Sequence, residues 1–310
     1  METAIETKGL TKTFGEIQAL NGISFLVERG EIFGFLGPNG AGKTTTIRIL
    51  TGVIKPDHGT ATVLGYDLLE DPLKAKQTMA VVPEMANAYI DLTAWQNLML
   101  IGELYGVPRK KRQERGTELL QEFALYERRN HLAKGFSKGM KQKLILCMAL
   151  LTDPQVLFLD EPTAGLDVES ARLIRDTIRE RSESGTTVFL STHNMEEANQ
   201  LCDRIAVINH GSIAAVDSPE HLRMKSSSLK SVEVSFDKPV SVDALSKIRT
   251  VVQTTKLGDK VRLYTDDPHS VIDDLTGYAR SEGLRIVSLN TIAPTLEDVF
   301  LRLIEEPGAD

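Results

Sequence analysis

The sequence predicts an α/β core carrying a helical insertion, followed by a small α+β domain. Three observations carry this reading. Short apolar runs alternate with helical patterns through the first 220 residues, as in a sheet covered by helices. The stretch from 87 to 151 keeps the helical pattern without a strand. From 231 onward the order changes to strand, helix, strand, strand, helix, strand.

In chain order, strands are expected at 23–27, 31–36, 61–63, 79–82, 156–159, 187–190 and 205–209, each a β-prone run bounded by turn formers. Residues 44–51 read as the helix after the second of these. The inserted helices are expected at 93–105, 109–123 and 138–151. Polar residues collect from 218, and Ser226, Ser227 and Ser228 suggest a linker over 221–230. Beyond it, strands at 231–236, 251–256, 260–264 and 285–289 and helices at 242–248 and 270–282 give a βαββαβ order, that of a ferredoxin-like domain. Pro294 opens a last helix over 295–304. The expected boundaries are therefore 1–220 for the core, 221–230 for the linker and 231–310 for the accessory domain. The accessory domain holds nine Lys/Arg against fourteen Asp/Glu and no catalytic cluster, which suits a dimerisation or regulatory module.

Bulk properties narrow the class. A chain of 310 residues with 41% hydrophobic and 25% charged residues is ordinary for a globular protein of two domains. A net charge of −7 argues against non-specific nucleic-acid binding. Cys147 and Cys202 sit in apolar or helical contexts and suit core packing in a reducing cytoplasm. The N-terminus lacks the basic and apolar stretches of an export signal. The longest apolar run, 144–151, is too short to span a membrane.

The chemistry concentrates in two places. Gly37, Gly42, Lys43 and Thr44 fill the pattern G-x-x-x-x-G-K-[ST], with Asn39, Gly40 and Ala41 inside it and Thr45 behind it. Such a loop turns backbone N–H groups around a polyphosphate; Lys43 would reach the β- and γ-phosphates and Thr44 would ligate Mg²⁺. A strand before the loop and a helix after it aim a positive helix end at the anion. Second, the apolar run 156–159 ends in Asp160 and Glu161. Acids at the carboxyl end of a buried strand lie where open α/β sheets bind ligands. Asp160 is placed to hold Mg²⁺ through water and Glu161 to polarise the water that attacks the γ-phosphate.

Further segments follow in a telling order: Phe136-Ser137-Lys138-Gly139-Met140-Lys141-Gln142, Asp160-Glu161-Pro162-Thr163, Ala164-Gly165-Leu166-Asp167 and Ser191-Thr192-His193. With the glycine-rich loop, they make residues 5–220 resemble the nucleotide-binding subunit of ABC transporters. The resemblance implies a P-loop ABC ATPase fold with a helical subdomain at 87–151, working as a head-to-tail homodimer with ATP and Mg²⁺. It implies that Ser137 and Gly139 meet the γ-phosphate bound by the opposite subunit, and that Asp167 lies at the dimer interface. It further implies that His193 bonds the γ-phosphate and the attacking water, and that Phe14 stacks on adenine.

Two positions depart from the family's usual pattern. Glu84 stands where Gln is frequent and is expected to remain a Mg²⁺ ligand; Lys138 replaces the first glycine of the signature loop and is expected to face solvent. A separate integral-membrane permease is expected to dock between residues 84 and 104, on Met85 to Ile90 and the helix around Trp95. The run Arg109-Lys110-Lys111-Arg112 reads as a solvated face. The closing Pro294-Thr295-Leu296-Glu297-Asp298-Val299-Phe300-Leu301 looks like the tail of exporter-type subunits. The implied function is an ATP-hydrolysing motor held at the inner face of the cell membrane through its permease.

Overall fold

The structure is a computed structural model that describes residues 2–85, 88–225, 230–292 and 295–305. The chain falls into two compact units that meet at Ser218 and Pro219.

The first unit runs β1 (Thr3–Phe14), β2 (Ile17–Glu28), β3 (Ile32–Leu36), α1 (Lys43–Leu50), β4 (His58–Val63), β5 (Tyr66–Asp67), α2 (Pro72–Gln77) and β6 (Met79–Val82). The helical block follows: α3 (Ala94–Leu104), α4 (Arg109–Glu122) and α5 (Lys138–Leu150). The chain then returns through β7 (Val156–Asp160), α6 (Val168–Glu183), β8 (Thr187–Thr192), α7 (Met195–Leu201), β9 (Arg204–Asn209) and β10 (Ser212–Asp217).

Two sheets result. One has the order β10-β9-β3-β8-β7-β6, parallel except for the β10 edge. The other is antiparallel, β2-β1-β4-β5. Every residue of β3, β7 and β8 is buried, which explains their unbroken apolar runs. Phe25 of β2 packs on Phe33 and Phe35 of β3 and on Phe189 of β8, with ring centroids 5.4–5.9 Å apart, and so pins one sheet to the other.

The inserted helices end within a residue of where the periodicity places them. Thr93 and Gln96 form a capping box that starts α3. Buried Asn97 staples the preceding segment, accepting from Tyr89 N at 2.8 Å and donating to Thr93 O at 2.9 Å. Cys147 and Cys202 are buried; a Cβ at Gly34 would lie 2.7 Å from Cys202 Sγ, so this thiol fills the core.

The first hairpin differs from expectation. Only 23–27 reads as strand in the sequence, yet β1 and β2 are twelve residues each. Their pairing is interrupted by several register shifts, which break the period-two pattern that would announce them.

The second unit begins with α8 (Pro219–Lys225), so the first part of the expected linker is helix. Pro219 suits a first helical turn and Leu222 is buried, which gives the segment an anchor that its polarity hides. Ser226, Ser227 and Ser228 lie outside the described residues. The unit continues β11 (Lys230–Phe236), α9 (Val242–Leu245), β12 (Gln253–Leu257), β13 (Lys260–Thr265), α10 (Pro268–Ser281), β14 (Ile286–Ile292) and α11 (Leu296–Glu305). Its antiparallel sheet has the order β12-β13-β11-β14, the interleaved arrangement of a split βαβ pair. Val232, Val234 and Leu263 pack beneath Val271 and Leu275 of α10. Pro294 lies outside the described residues.

Candidate active site

The loop between β3 and α1 needs its glycines. A Cβ at Gly37 would lie 2.5 Å from the Ile208 carbonyl oxygen. Gly42 adopts φ 113°, and a Cβ there would lie 2.8 Å from the Ala19 carbonyl oxygen. The first turn of α1 has no side-chain cap and no acidic residue. Its amides therefore face the cleft without an internal acceptor, the condition for holding an anion.

That cleft encloses about 500 Å³. Of the predicted residues, Asn39, Gly40, Gly42, Lys43, Thr44 and Thr45 line it from the loop, and Glu84, Glu161 and His193 from facing elements. Ala41 is buried within the loop. Ile17, Gln18, Ala19 and His210 also line the cleft, although no sequence motif marks them.

Charges are arranged across it. Lys43 Nζ donates to Gly37 O at 2.7 Å and to Pro38 O at 3.2 Å, and lies 3.3 Å from Glu161 Oε1. Both ends of this ion pair are buried, so it stands in a weakly screened setting. The other Glu161 oxygen is 2.8 Å from His193 Nδ1. Glu161 itself has φ 50°, a left-handed backbone that costs a non-glycine residue about 1–3 kcal/mol. Backbone bonds hold it there: Glu161 N donates to Ser191 O at 3.0 Å and Ala164 N to Glu161 O at 3.2 Å.

Asp160 accepts from Thr44 Oγ1 at 3.1 Å and, through its other oxygen, from Ser191 Oγ. Among the described residues no group of three or more His, Cys, Asp and Glu could enclose a metal. A hydroxyl, a carboxylate and the nearby exposed Glu84 nonetheless fit a hard cation that keeps waters and takes phosphate oxygens as further ligands.

Besides Gly37, Ala41 and Asp160, which lie behind its lining, four predicted residues stand outside the cleft. Phe14 is 48% exposed at the β1–β2 turn, with the Lys12 ammonium 5.5 Å from its ring, while its cross-strand neighbour Ile17 lines the cleft. Ser137 caps α5, accepting from Met140 N at 3.3 Å. Asp167 caps α6, accepting from Ser170 N at 2.8 Å and Ser170 Oγ at 2.9 Å, and these bonds hold its carboxyl below the usual aspartate range. Gly139 joins the two caps, since a Cβ there would lie 2.7 Å from Ser170 Oγ and 3.2 Å from Asp167 Oδ2. Ser137, Gly139 and Asp167 thus form one corner apart from the cleft. Lys138 is exposed, yet its ammonium rests against this same corner, 2.7 Å from where a Gly165 Cβ would stand.

Sequence reasoning also missed Glu197. Its carboxylate is buried on α7 and accepts from Thr163 Oγ1 at 2.6 Å, and burial pushes its pKa up. A second acid, Glu196, precedes it, and nothing in the residue pattern says which of the two turns inward.

Comparison with known proteins agrees with this geometry. Residues 20–164 match the family described as ABC transporter. The chain is 40% identical to the Nod factor export ATP-binding protein I of Rhizobium sp. (strain N33), covering 97% of each. It is 35% identical to the daunorubicin/doxorubicin resistance ATP-binding protein DrrA of Streptomyces peucetius, covering 99% of this chain and 94% of that one. Among solved structures, it resembles the dimeric post-hydrolysis state of the ATP-binding cassette MJ0796 bound to ADP and Pi. That likeness has a TM-score of 0.64 at 25% identity and covers 69% of this chain and 98% of the other.

Proposed function

Since this chain belongs to the ABC transporter family, as an ATP-binding subunit and an ATPase, we propose that two copies clasp ATP head to tail and drive a separate membrane permease for export. One observation carries the clasp. The cleft has a phosphate loop, a cation and a base, while the Ser137–Gly139 corner of the same chain presents a hydroxyl and a helix N-terminus away from it. A second copy, turned head to tail, brings the missing donors to the γ-phosphate. The dimeric cassette bound to ADP and Pi supports the pairing of two copies.

The residues then have distinct tasks. Phe14, beside Ile17 at the mouth of the cleft, offers a face for adenine. An arriving γ-phosphate gives Lys43 a stronger anionic partner than Glu161. The Glu161 carboxylate, released from the ion pair, accepts a proton from the attacking water, and His193 steadies both water and phosphate. Thr44, Asp160 and Glu84 would hold Mg²⁺, which when bound neutralises developing charge on the phosphate oxygens. Hydrolysis removes the group both copies share, so the closed pair loses its differential affinity and opens.

Export follows the relatives, whose names speak of Nod factor export and of drug resistance. No helix among the described residues is long and apolar enough to cross a membrane. The relatives' export and resistance names support a membrane-spanning partner that carries the path, with this chain held at the inner face. An apolar groove lined by Val81, Pro83, Ile101, Tyr105 and Met148 supports docking beside residues 84–104. Met85, 76% exposed, and the exposed Tyr89, Ile90 and Leu104 belong to the same stretch of sequence. Leu98 is fully buried and belongs to the core of the helical block; Ala86 and Asn87 lie outside the described residues.

Glu161→Gln tests the clasp. The variant should turn over about 10²–10⁴-fold more slowly and accumulate as an ATP-bound dimer in size-exclusion chromatography with light scattering. A variant that stays monomeric in excess MgATP would overturn the shared site.

A further inference from the structure

We propose that Glu197 is a positioning residue for hydrolysis: its buried carboxylate ties together the two segments that carry Glu161 and His193. Glu197 is 1% exposed on α7. Its hydrogen-bond partner is a threonine hydroxyl: Thr163 Oγ1 donates to it at 2.6 Å. Thr163 follows Glu161 by two residues, and Thr192 directly precedes His193. One side chain, on the helix that opens two residues after His193, therefore grips the root of the base.

Both segments need such a grip. Glu161 sits at φ 50°, and a strained backbone persists only where its surroundings over-determine it. His193 is largely exposed, so its ring is placed by the chain on either side of it more than by packing. That chain is locked into the same clasp. Asn194 N donates to Thr192 Oγ1 at 3.0 Å, and Asn194 Oδ1 caps Glu197 N at 3.1 Å. A slack Thr163 or Thr192 would loosen the 2.8 Å contact between Glu161 and His193.

Stability does not ask for an acid at this place. Burial raises the pKa of Glu197, and the charge of Glu161 nearby raises it further. Folding thus tolerates an unfavourable carboxylate where an apolar side chain of similar size would fill the space. What the carboxylate adds is a charged acceptor for Thr163, held on the helix that follows His193.

The inference rests on Glu161 and His193 acting at the γ-phosphate, and Glu161→Gln, assayed alongside, tests that premise separately. Steady-state ATPase kinetics on the full chain test the clasp. Glu197→Leu should lower kcat about 10–100-fold, as small misplacements of catalytic groups do, and leave KM for MgATP within about twofold. Glu197→Gln, which keeps an acceptor, should recover most of the rate. Thr163→Val should reproduce part of the loss and Thr163→Ser restore it. The Glu197→Leu/Thr163→Val double variant should be no slower than Glu197→Leu alone, because the two changes cut one link. An unchanged kcat in Glu197→Leu or Thr163→Val, a loss confined to KM, or additive losses in the double variant would overturn the proposal. If Glu197→Leu does not fold, the Thr163 pair decides alone, with slow Val and restored Ser supporting the clasp.

Discussion

The phosphate loop and the Ser137 corner belong to one compact unit, yet their polar groups are in opposite states. At the loop, α1 begins without a cap, and Lys43 is left to bond carbonyls of its own loop and a buried carboxylate. At the corner, Ser137 and Asp167 each satisfy a helix start within the chain, with Gly139 wedged between them. The loop is poised to receive a ligand that would relieve its unmet amides. The corner is folded to its own satisfaction and gains a ligand only as a surface shown to another molecule. This difference makes the proposed asymmetry intelligible: each copy binds through one region and caps through the other.

Lys43→Ala should give the largest effect. It removes the cation that would pair with the phosphates and leaves Glu161 with His193 as its partner. Truncating one partner of such a pair costs about 2–5 kcal/mol, so MgATP binding measured by calorimetry should fall at least about thirtyfold. Retained affinity would show that the loop is not the receiving half.

Gly139→Val should separate the two halves. Its side chain would press on Ser170 Oγ and Asp167, distorting the corner and leaving the cleft untouched. MgATP binding to the isolated chain should stay within about twofold, while turnover is lost. Mixing it with Lys43→Ala chains sharpens the comparison. Each mixed dimer regains one whole site, so an equal mixture should recover about a quarter of native activity. No recovery would mean that loop and corner serve the same copy.

The same contrast explains how much the sequence discloses. The loop is legible because its chemistry demands fixed residues at fixed spacings, glycines where a Cβ would strike the Ile208 and Ala19 carbonyls and a lysine after them. The first two helices of the inserted block are legible because a 3.6-residue period survives in their buried residues, whereas α5 is buried all round over 144–150 and is marked by its apolar helix-forming run and the Ser137 cap. β1 is not, because its register shifts scramble the alternation of buried and exposed residues. Ile17 and His210 reach the cleft through turns whose destination depends on tertiary pairing, which no local pattern records. Glu197 shows the same limit, since one of two adjacent acids turns inward and only the fold selects it. The linker over 221–225 reads as polar because α8 exposes Glu220 and His221 beside the buried Leu222.

Asp167→Asn should give the smallest effect and decides whether the corner has a role beyond folding. Hydrogen bonds from Ser170 hold the Asp167 carboxyl below its ordinary value of 3.8. A carboxyl depressed in the folded state stabilises fully above its unfolded pKa, and that contribution is lost as the pH falls through the folded value. The variant should therefore melt slightly below the native chain at neutral pH, and the gap in Tm should close as the pH drops beneath 3.8. Asp167 is exposed, so solvent screening keeps the gap small. Turnover then discriminates. Asparagine remains a good helix cap, so a variant that only caps loses little stability and no activity. A fall in kcat with α6 intact by circular dichroism would place the Asp167 charge at work between copies, whereas unchanged turnover would confine it to the start of its own helix.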